Sequence, residues 1–94
     1  MVNQVYILFS KRLQKYYVGE TLELDKRISE HNSGFYKNAF TSQTNDWELY
    51  LSFDFENRSQ ARKIESHIKK MKSKVYIENL KKYPEMIIKL KSIL

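Results

Sequence analysis

The sequence contains no cysteine, only one proline and only two glycines. Without cysteine the chain can form neither a disulfide nor a thiolate metal site, which is compatible with a reducing cytoplasm. No stretch approaches the run of about 18 apolar residues that a membrane-spanning helix needs. The first residues, MVNQVYILFS, also lack a basic leader and a cleavage site. We therefore expect a cytoplasmic protein without a membrane partner.

The chain is long enough for one domain. Its 94 residues are 41% apolar and 14% aromatic, which is the composition of a folded globule and differs from that of a disordered charged chain. A chain of this length buries only about 60 to 65% of its unfolded surface, so its core is modest. We expect residues 1–94 to form a single domain.

Positive charge is concentrated in the second half of the chain. Residues 1–57 hold six Lys and Arg against eight Asp and Glu, a net charge of −2, whereas residues 58–94 hold eleven against three, a net charge of +8. A basic surface on a small domain suits a polyanion, because each phosphate that it neutralises releases a counterion. A solvated, lysine-rich helical surface explains the same charge, so composition alone leaves both interpretations open.

Three segments have the pattern of β-strands. QVYILF at 4–9 is a continuous run of strand-forming residues, which predicts a strand covered on both faces. YYVG at 16–19 follows a polar turn and is predicted to be its hairpin partner. WELYLSFDF at 47–55 alternates, which predicts a half-buried strand. Its predicted apolar face consists of Trp47, Leu49, Leu51, Phe53 and Phe55.

Helical patterns separate and follow these strands. Leu24, Ile28 and Phe35 predict a first helix of about twelve residues that ends at Gly34, and residues 32–46 have the composition of a polar loop. Asn57 and Gln60 resemble a capping box. The apolar stripe of the helix that follows consists of Ala61, Ile64, Ile68 and Met71.

The tail is predicted to continue as helix from Ser73, with a break at Pro84 where a short terminal helix begins. The predicted order is therefore β-β-α-β-α-α. This order indicates an α/β fold, a small sandwich with a three-stranded, mainly antiparallel sheet and flanking helices.

Two tripeptides on the predicted hairpin resemble a known motif pair. V-Y-I at 5–7 and Y-V-G at 17–19, followed by Leu24 and Arg27 as L-x-x-R, resemble the GIY-YIG nuclease superfamily. Further segments, EHNSG, the FTS of the loop, WELYLSFDF and SQARKIESHIKKMKS, are similar to small single-domain members related to the GIY-YIG nuclease domain of the excision-repair enzyme excinuclease ABC. The resemblance covers about residues 4–80 and leaves 81–94 as a C-terminal helical extension. Gln4 replaces the first motif glycine, which weakens the motif more than the chemistry, because the tyrosine carries the reactive group.

The resemblance implies a DNA endonuclease that depends on Mg²⁺ or Mn²⁺ and acts in DNA repair or recombination. The catalytic residues that it implies are Tyr6, Tyr17, Arg27, His31 and Glu65, with Glu65 as the metal ligand. Gly19 corresponds to the second motif glycine, where it leaves room for the substrate backbone. The predicted nucleic-acid contacts are Gly19, Arg27, Lys69, Lys70, Lys72 and Lys74.

These residue types also suit phosphodiester hydrolysis by their chemistry. One carboxylate with several waters suits Mg²⁺, and a planar guanidinium can brace a phosphate. A tyrosine hydroxyl can position water, or take its proton if the metal and Arg27 depress its pKa. His31 can instead serve as the base or as a relay to Tyr6, and only its neutral form would do so. Which of Tyr6, Tyr17 and His31 acts as general base stays open.

Each candidate also has an ordinary structural interpretation. Tyrosines in strands are commonly core residues, and Arg27 with His31 can be a solvated helix face. Glu65 can pair with Lys69 one helical turn later, an interaction worth about 0.3 to 0.5 kcal/mol. Two functions therefore remain, a metal-dependent DNA endonuclease and a nucleic-acid-binding module that has the nuclease fold but little or no turnover.

Overall fold

The first strand of the chain lies in the middle of the sheet. In the computed structural model, which describes residues 2–37 and 39–94, three strands form one sheet in the order β2-β1-β3, and both pairs are antiparallel. The strands are β1 (Asn3–Ser10), β2 (Lys15–Thr21) and β3 (Glu48–Phe55). The helices are α1 (Leu24–Asn32), a 3₁₀ helix (Phe40–Gln43), α2 (Arg58–Met71), α3 (Lys74–Lys82) and α4 (Glu85–Ile93). The predicted α/β sandwich is confirmed.

Both faces of β1 are buried, as its continuous apolar sequence predicts. Val5 and Ile7 pack into the core between the sheet and helices α2, α3 and α4. Tyr6 and Leu8 point to the opposite face, where they pack with Trp47 and with Leu24 and Ile28 of α1. Because side chains alternate along a strand, β1 divides the protein into a larger core and a smaller layer. The tyrosine of the first motif belongs to the smaller layer.

The predicted common face of the third strand is wrong. A register shift between Ile7 and Leu8 places a bulge in β3, since Ile7 lies opposite Leu51 and Leu8 lies opposite Leu49. A bulge adds one residue to a strand and reverses the alternation beyond it. Trp47 therefore packs with Tyr6 and Leu8 in the smaller layer, whereas the apolar residues beyond the bulge pack in the larger core. Those residues are Leu51, Phe53 and Phe55.

The first helix is shorter than predicted. It has nine residues, and Gly34 follows it with a φ of 77°, the left-handed conformation that glycine adopts without strain. Phe35 comes after this turn and is 65% exposed, so it does not belong to the helical stripe. The shorter helix places His31 in its last turn.

The helices after β3 begin and end at recognisable signals. The side chain of Asn57 accepts a hydrogen bond from the Gln60 N–H at 2.8 Å, which confirms the predicted cap of α2. Lys72 ends α2 in a left-handed conformation, and the Ser73 hydroxyl caps α3. Pro84 precedes α4 as predicted. The tail thus holds two helices, and one helix boundary, at Lys72, is additional to the predicted order.

No helix in the described ranges combines the length and the apolar character that crossing a bilayer requires.

Candidate active site

The two motif tyrosines lie side by side on the face of the sheet that α1 covers. In the hairpin register Tyr6 lies opposite Gly19, and Tyr17 lies opposite Leu8. Leu8 shares its face with Tyr6, so Tyr17 is a diagonal neighbour of Tyr6 on that face. Their ring centroids are 6.3 Å apart. The hairpin therefore brings both predicted tyrosines together.

His31 completes this pair from α1. Its side chain is 3% exposed, and its Nε2 atom lies 2.9 Å from the Tyr6 hydroxyl oxygen. Its ring centroid is 5.0 Å from that of Tyr17, in an edge-on arrangement. The helix thus inserts its last-turn histidine between the two tyrosines, where it is hydrogen-bonded to one and packed against the other.

Thr41 holds the other nitrogen of the imidazole. The His31 Nδ1 atom lies 2.7 Å from the Thr41 Oγ1 atom, and Thr41 is fully buried in the 3₁₀ helix. The Thr41 carbonyl accepts a hydrogen bond from the Trp47 indole N–H at 2.8 Å. Asn32, next to His31, accepts from the Trp47 backbone N–H and donates to the Trp47 carbonyl. The orientation of His31 is therefore fixed by the loop between α1 and β3.

Thr41 is a site residue that the sequence pattern did not reveal. It lies within residues 32–46, which were predicted to be a polar loop, although FTS was part of the family resemblance. Only the fold shows that this threonine is buried against a histidine ten residues earlier.

Arg27 lies one helical turn before His31 on the same side of α1. Its Nε atom is 3.8 Å from the Glu30 carboxylate, and its guanidinium carbon is 5.7 Å from the centroid of the Tyr36 ring. Tyr36 donates its hydroxyl hydrogen bond to Glu30 at 2.9 Å. The arginine side chain remains partly exposed, so its guanidinium is available to an anion. Tyr36 and Glu30 are further neighbours of the site that the sequence pattern did not reveal.

The environment shifts the pKa values of the hydrogen-bonded pair in opposite directions. Burial, together with the neighbouring Tyr17 hydroxyl, raises the pKa of Tyr6 far above its ordinary value, and Arg27 only partly opposes this. Burial, with the positive charge of Arg27, lowers the pKa of His31 below 6.5. At neutral pH the pair therefore consists of a protonated phenol and a neutral imidazole. This protein environment does not supply the depressed tyrosine pKa that one version of the chemistry required.

Gly19 has a structural reason that its sequence context did not indicate. A Cβ atom at this position would overlap the Tyr6 phenol ring and its hydroxyl oxygen. The expected role of Gly19 was to make room for a substrate. In the structure the space beside it is occupied by the side chain of the first motif tyrosine.

Glu65 reaches the tyrosine pair through a lysine. Its carboxylate on α2 is half-buried and lies 3.1 Å from the Lys69 Nζ atom, and the same Nζ atom lies 5.7 Å from the centroid of the Tyr17 ring. The helix ion pair suggested by the spacing is therefore present. Within residues 2–37 and 39–94 no three carboxylate or histidine side chains are grouped as metal ligands. A single carboxylate fits only a cation that keeps most of its own water, as Mg²⁺ does.

The four predicted lysine contacts lie near the junction of α2 and α3. All four side chains are exposed. Lys69, Lys72 and Lys74 line one groove beside Tyr17, whereas Lys70 is not among the residues that line it. Lys74 also donates a hydrogen bond to the Gln14 carbonyl at 2.8 Å. The fold thus gathers three of these lysines next to the tyrosine pair.

Comparisons with known proteins agree with this geometry. The family model described as "GIY-YIG catalytic domain" matches residues 2–83. A UPF0213 protein of Syntrophus aciditrophicus (strain SB) is 34% identical over 83 residues, which cover 88% of this chain and 94% of that protein. The solution NMR structure of a UPF0213 protein from Bacillus halodurans has a TM-score of 0.51 and 32% identity. That match covers 85% of this chain and 82% of the other.

Proposed function

The chain belongs to the GIY-YIG family, and we propose that it is a divalent-metal-dependent endonuclease that hydrolyses phosphodiester bonds in DNA. One observation carries the proposal. The Tyr6 hydroxyl is hydrogen-bonded to a buried, neutral His31 beside the guanidinium of Arg27. This arrangement combines a proton acceptor, a hydroxyl that can hold a water molecule and a cation for a phosphate. A purely structural core tyrosine does not need the last two.

The Tyr6 hydroxyl and His31 move the proton of the attacking water. When the His31 Nδ1–H donates to Thr41, the Nε2 atom is free to accept the Tyr6 hydroxyl hydrogen, and the tyrosine oxygen can accept a hydrogen bond from water. As the water oxygen attacks phosphorus, its proton passes to the Tyr6 oxygen and the tyrosine proton passes to His31 Nε2. Tyr6 stays neutral throughout, in agreement with its raised pKa. His31 is therefore the general base and Tyr6 the relay.

Arg27 stabilises the charge that develops on the phosphate. Its guanidinium is held at the Tyr36 ring and close to Glu30, so little reorganisation is needed when the phosphate arrives. Tyr17 shapes the site by packing its ring edge against the imidazole. These residues bind and orient the scissile group, while His31 and Tyr6 handle the proton.

Glu65 is the residue that would hold the metal ion. When bound, a hydrated Mg²⁺ or Mn²⁺ supplies a Lewis acid for the phosphate and leaving-group oxygens. Lys69 neutralises the Glu65 carboxylate in the absence of a cation and must move aside for one. Such movement is inexpensive, because an exposed pair of this kind is worth about 0.3 to 0.5 kcal/mol.

Lys69, Lys70, Lys72 and Lys74 contact phosphates away from the bond that is cut. They continue the positive charge of the second half of the chain up to Tyr17. We place the protein in the cytoplasm, as one domain over residues 1–94, and assign its activity to branched or damaged DNA in repair or recombination. The support for this assignment is the similarity to the nuclease domain of excinuclease ABC.

A cleavage assay tests the proposal. The purified chain is incubated with flap, branched, nicked and linear DNA, in Mg²⁺, in Mn²⁺ and in EDTA. Cleavage of at least one substrate is expected with either metal and none in EDTA, and Glu65→Ala is expected to abolish cleavage while DNA binding persists. A Glu65→Ala protein of full activity would remove Glu65 from the site. Wild-type protein that binds every substrate and cuts none would contradict the enzyme.

A binding module with little or no turnover is the second candidate. The ion pair between Glu65 and Lys69 favours it, because a carboxylate held by an ammonium group is a weaker cation ligand. The same assay separates the two, since a binding module retains affinity for DNA and shows no difference between Mg²⁺ and EDTA.

A further inference from the structure

A groove of about 660 Å³ runs along the free edge of the sheet, next to the tyrosine pair. Its walls come from the edge strand β2, from Phe40 of the 3₁₀ helix, and from the adjoining ends of α2 and α3. Its volume lies in the range of small-ligand pockets, about 300 to 1,000 Å³. The proposed catalytic scheme uses only Tyr17 and Lys69 from its lining, so most of the groove has no role yet.

The lining combines an apolar, aromatic interior with a basic rim. Val18, Ile68 and Ile77 form the aliphatic part. The aromatic part consists of Tyr16, Tyr17 and Phe40, and the basic part consists of Lys15, Lys69, Lys72 and Lys74. None of the described residues that line the groove is acidic. A ligand that suits it therefore has both an apolar face and negative charge.

The two aromatic rings nearest the catalytic site carry lysine ammonium groups over their faces. The Tyr17 and Phe40 rings are nearly parallel, with an interplanar angle of 14°, and Phe40 is 36% exposed. Lys69 Nζ lies 5.7 Å from the Tyr17 centroid, and Lys15 Nζ lies 5.6 Å from the Phe40 centroid. A nucleobase that stacks on such a ring places its phosphate near the same lysine.

We infer that this groove binds an unpaired nucleobase directly next to the phosphate that is cut. The substrate is then DNA with a single-stranded nucleotide at the cleavage position. In a duplex the base faces are already stacked inside the helix, so a duplex offers the groove only phosphates. An acidic peptide would match the lysines and leave the aromatic wall unused. That the bound phosphate is the one cut rests on the proposed nuclease function, whereas base binding does not.

Tyr17 and Lys69 link the groove to the catalytic residues. Tyr17 forms part of its wall and also packs against His31. Lys69 forms part of its rim and also pairs with Glu65. A base held in the groove therefore places its own phosphate beside the predicted metal ligand.

Binding without metal tests the inference. The wild-type chain is titrated in EDTA, at one salt concentration, against a labelled thymidine strand of about 12 nucleotides, the same strand with abasic positions, and a blunt duplex. The thymidine strand is expected to bind about tenfold more tightly than the abasic strand, because stacking on an aromatic side chain contributes this much per base. Equal affinity for the two strands would overturn the inference.

Variants locate the effect in the groove. Phe40→Ala is expected to reduce the preference for thymidine over the abasic strand below about twofold, while Phe40→Tyr keeps it. Tyr83→Ala is the matched control, because Tyr83 is 43% exposed and has the Lys82 ammonium 5.4 Å from its ring centroid, outside the groove. A Phe40→Ala protein, folded by its Trp47 fluorescence, that keeps the full preference contradicts the assignment. If that variant does not fold, loss of the preference in Phe40→Tyr contradicts it.

Lysine variants and a peptide competitor separate charge from stacking. Lys15→Gln is expected to weaken both strands by a similar, few-fold factor, and Lys89→Gln, on α4 outside the groove, to change neither. An oligo-glutamate that displaces both strands equally, with no difference between them, overturns the base pocket. Glu65-dependent cleavage of duplex DNA without any base preference overturns this inference alone. Base preference without cleavage in any metal overturns only the nuclease.

Discussion

The phenol of Tyr6 occupies the space beside Gly19 in which any other residue would place its Cβ atom. The two residues lie directly opposite each other on β1 and β2. The glycine is therefore required by the tyrosine across the hairpin, because no turn or positive φ at Gly19 demands it. The two motifs of the hairpin form one steric unit.

Gly19→Ala is expected to destabilise the protein by about 1 to 3 kcal/mol, the usual cost of overpacking. It should also lower the cleavage rate, because the Tyr6 hydroxyl is pushed away from His31. Gly34→Ala is the matched control, since it strains a backbone φ of 77° but has no atom within 4 Å of the new Cβ. Urea unfolding of both variants in the Tyr6→Ala background distinguishes them. The cost of Gly19→Ala should fall there and that of Gly34→Ala should not, and an unchanged cost for Gly19→Ala would contradict the steric unit.

The cleavage rate is expected to have an acid limb whose midpoint lies below pH 6.5. Only neutral His31 accepts a proton, and burial with Arg27 lowers the pKa of His31 below 6.5. The logarithm of the rate therefore rises with a slope near one at lower pH and is flat at neutral pH. His31→Ala should lose this limb and about 10²- to 10⁴-fold in rate. His67→Ala, at the other histidine of the chain, should keep both, and a limb that survives in His31→Ala would assign it to another group.

Manganese binding is expected to depend on Glu65 and to be opposed by Lys69. Mn²⁺ should raise the melting temperature of the wild-type chain, because a cation that binds only the folded state stabilises it. Glu65→Gln should abolish this rise, and Glu56→Gln, at an exposed carboxylate on another surface, should not. Lys69→Gln should enlarge the rise, since it removes the ammonium group 3.1 Å from the carboxylate. The same rise in Glu65→Gln as in the wild type would exclude this ligand.

The salt dependence of DNA binding tests the lysines separately from catalysis. Lys70→Gln with Lys72→Gln is expected to flatten the slope of log affinity against log salt by roughly 1 to 2, because each lost phosphate contact releases one counterion fewer. Lys89→Gln should leave the slope as it is. An unchanged slope in the double variant would return these lysines to the solvated helical surface.

Asp46 is expected to contribute stability that is lost in acid. Its carboxylate accepts hydrogen bonds from the Ser10 hydroxyl, the Arg12 N–H and the Thr44 hydroxyl, and these bonds lower its pKa to about 2. Because the pKa falls on folding, the contribution is present above the unfolded pKa of about 4 and disappears as the pH falls towards 2. The stability difference between wild type and Asp46→Asn should therefore narrow over this interval in urea titrations. A difference that is equal at pH 6 and at pH 2.5 would contradict the assignment.

The sequence alone determined the elements and the residues of the hairpin motif. The apolar run at 4–9, the alternation before Phe55 and the Asn57 cap are local patterns, since strand alternation and helix capping depend on residues only a few positions apart. Such patterns predicted the α/β sandwich and placed Tyr6 and Tyr17 on neighbouring strands. The family resemblance added Arg27, His31 and Glu65, which no local pattern distinguishes from a helix surface.

The tertiary structure decided the contacts that determine the chemistry. The bulge in β3, which moves Trp47 to the side of Tyr6, depends on pairing with β1. Thr41 reaches His31 only because the loop folds under α1. The direction of the pKa shifts of Tyr6 and His31 follows from their burial, which is a property of the whole packed layer. Desolvation and steric contact are set by residues far apart in the chain, so no short stretch of sequence contains them.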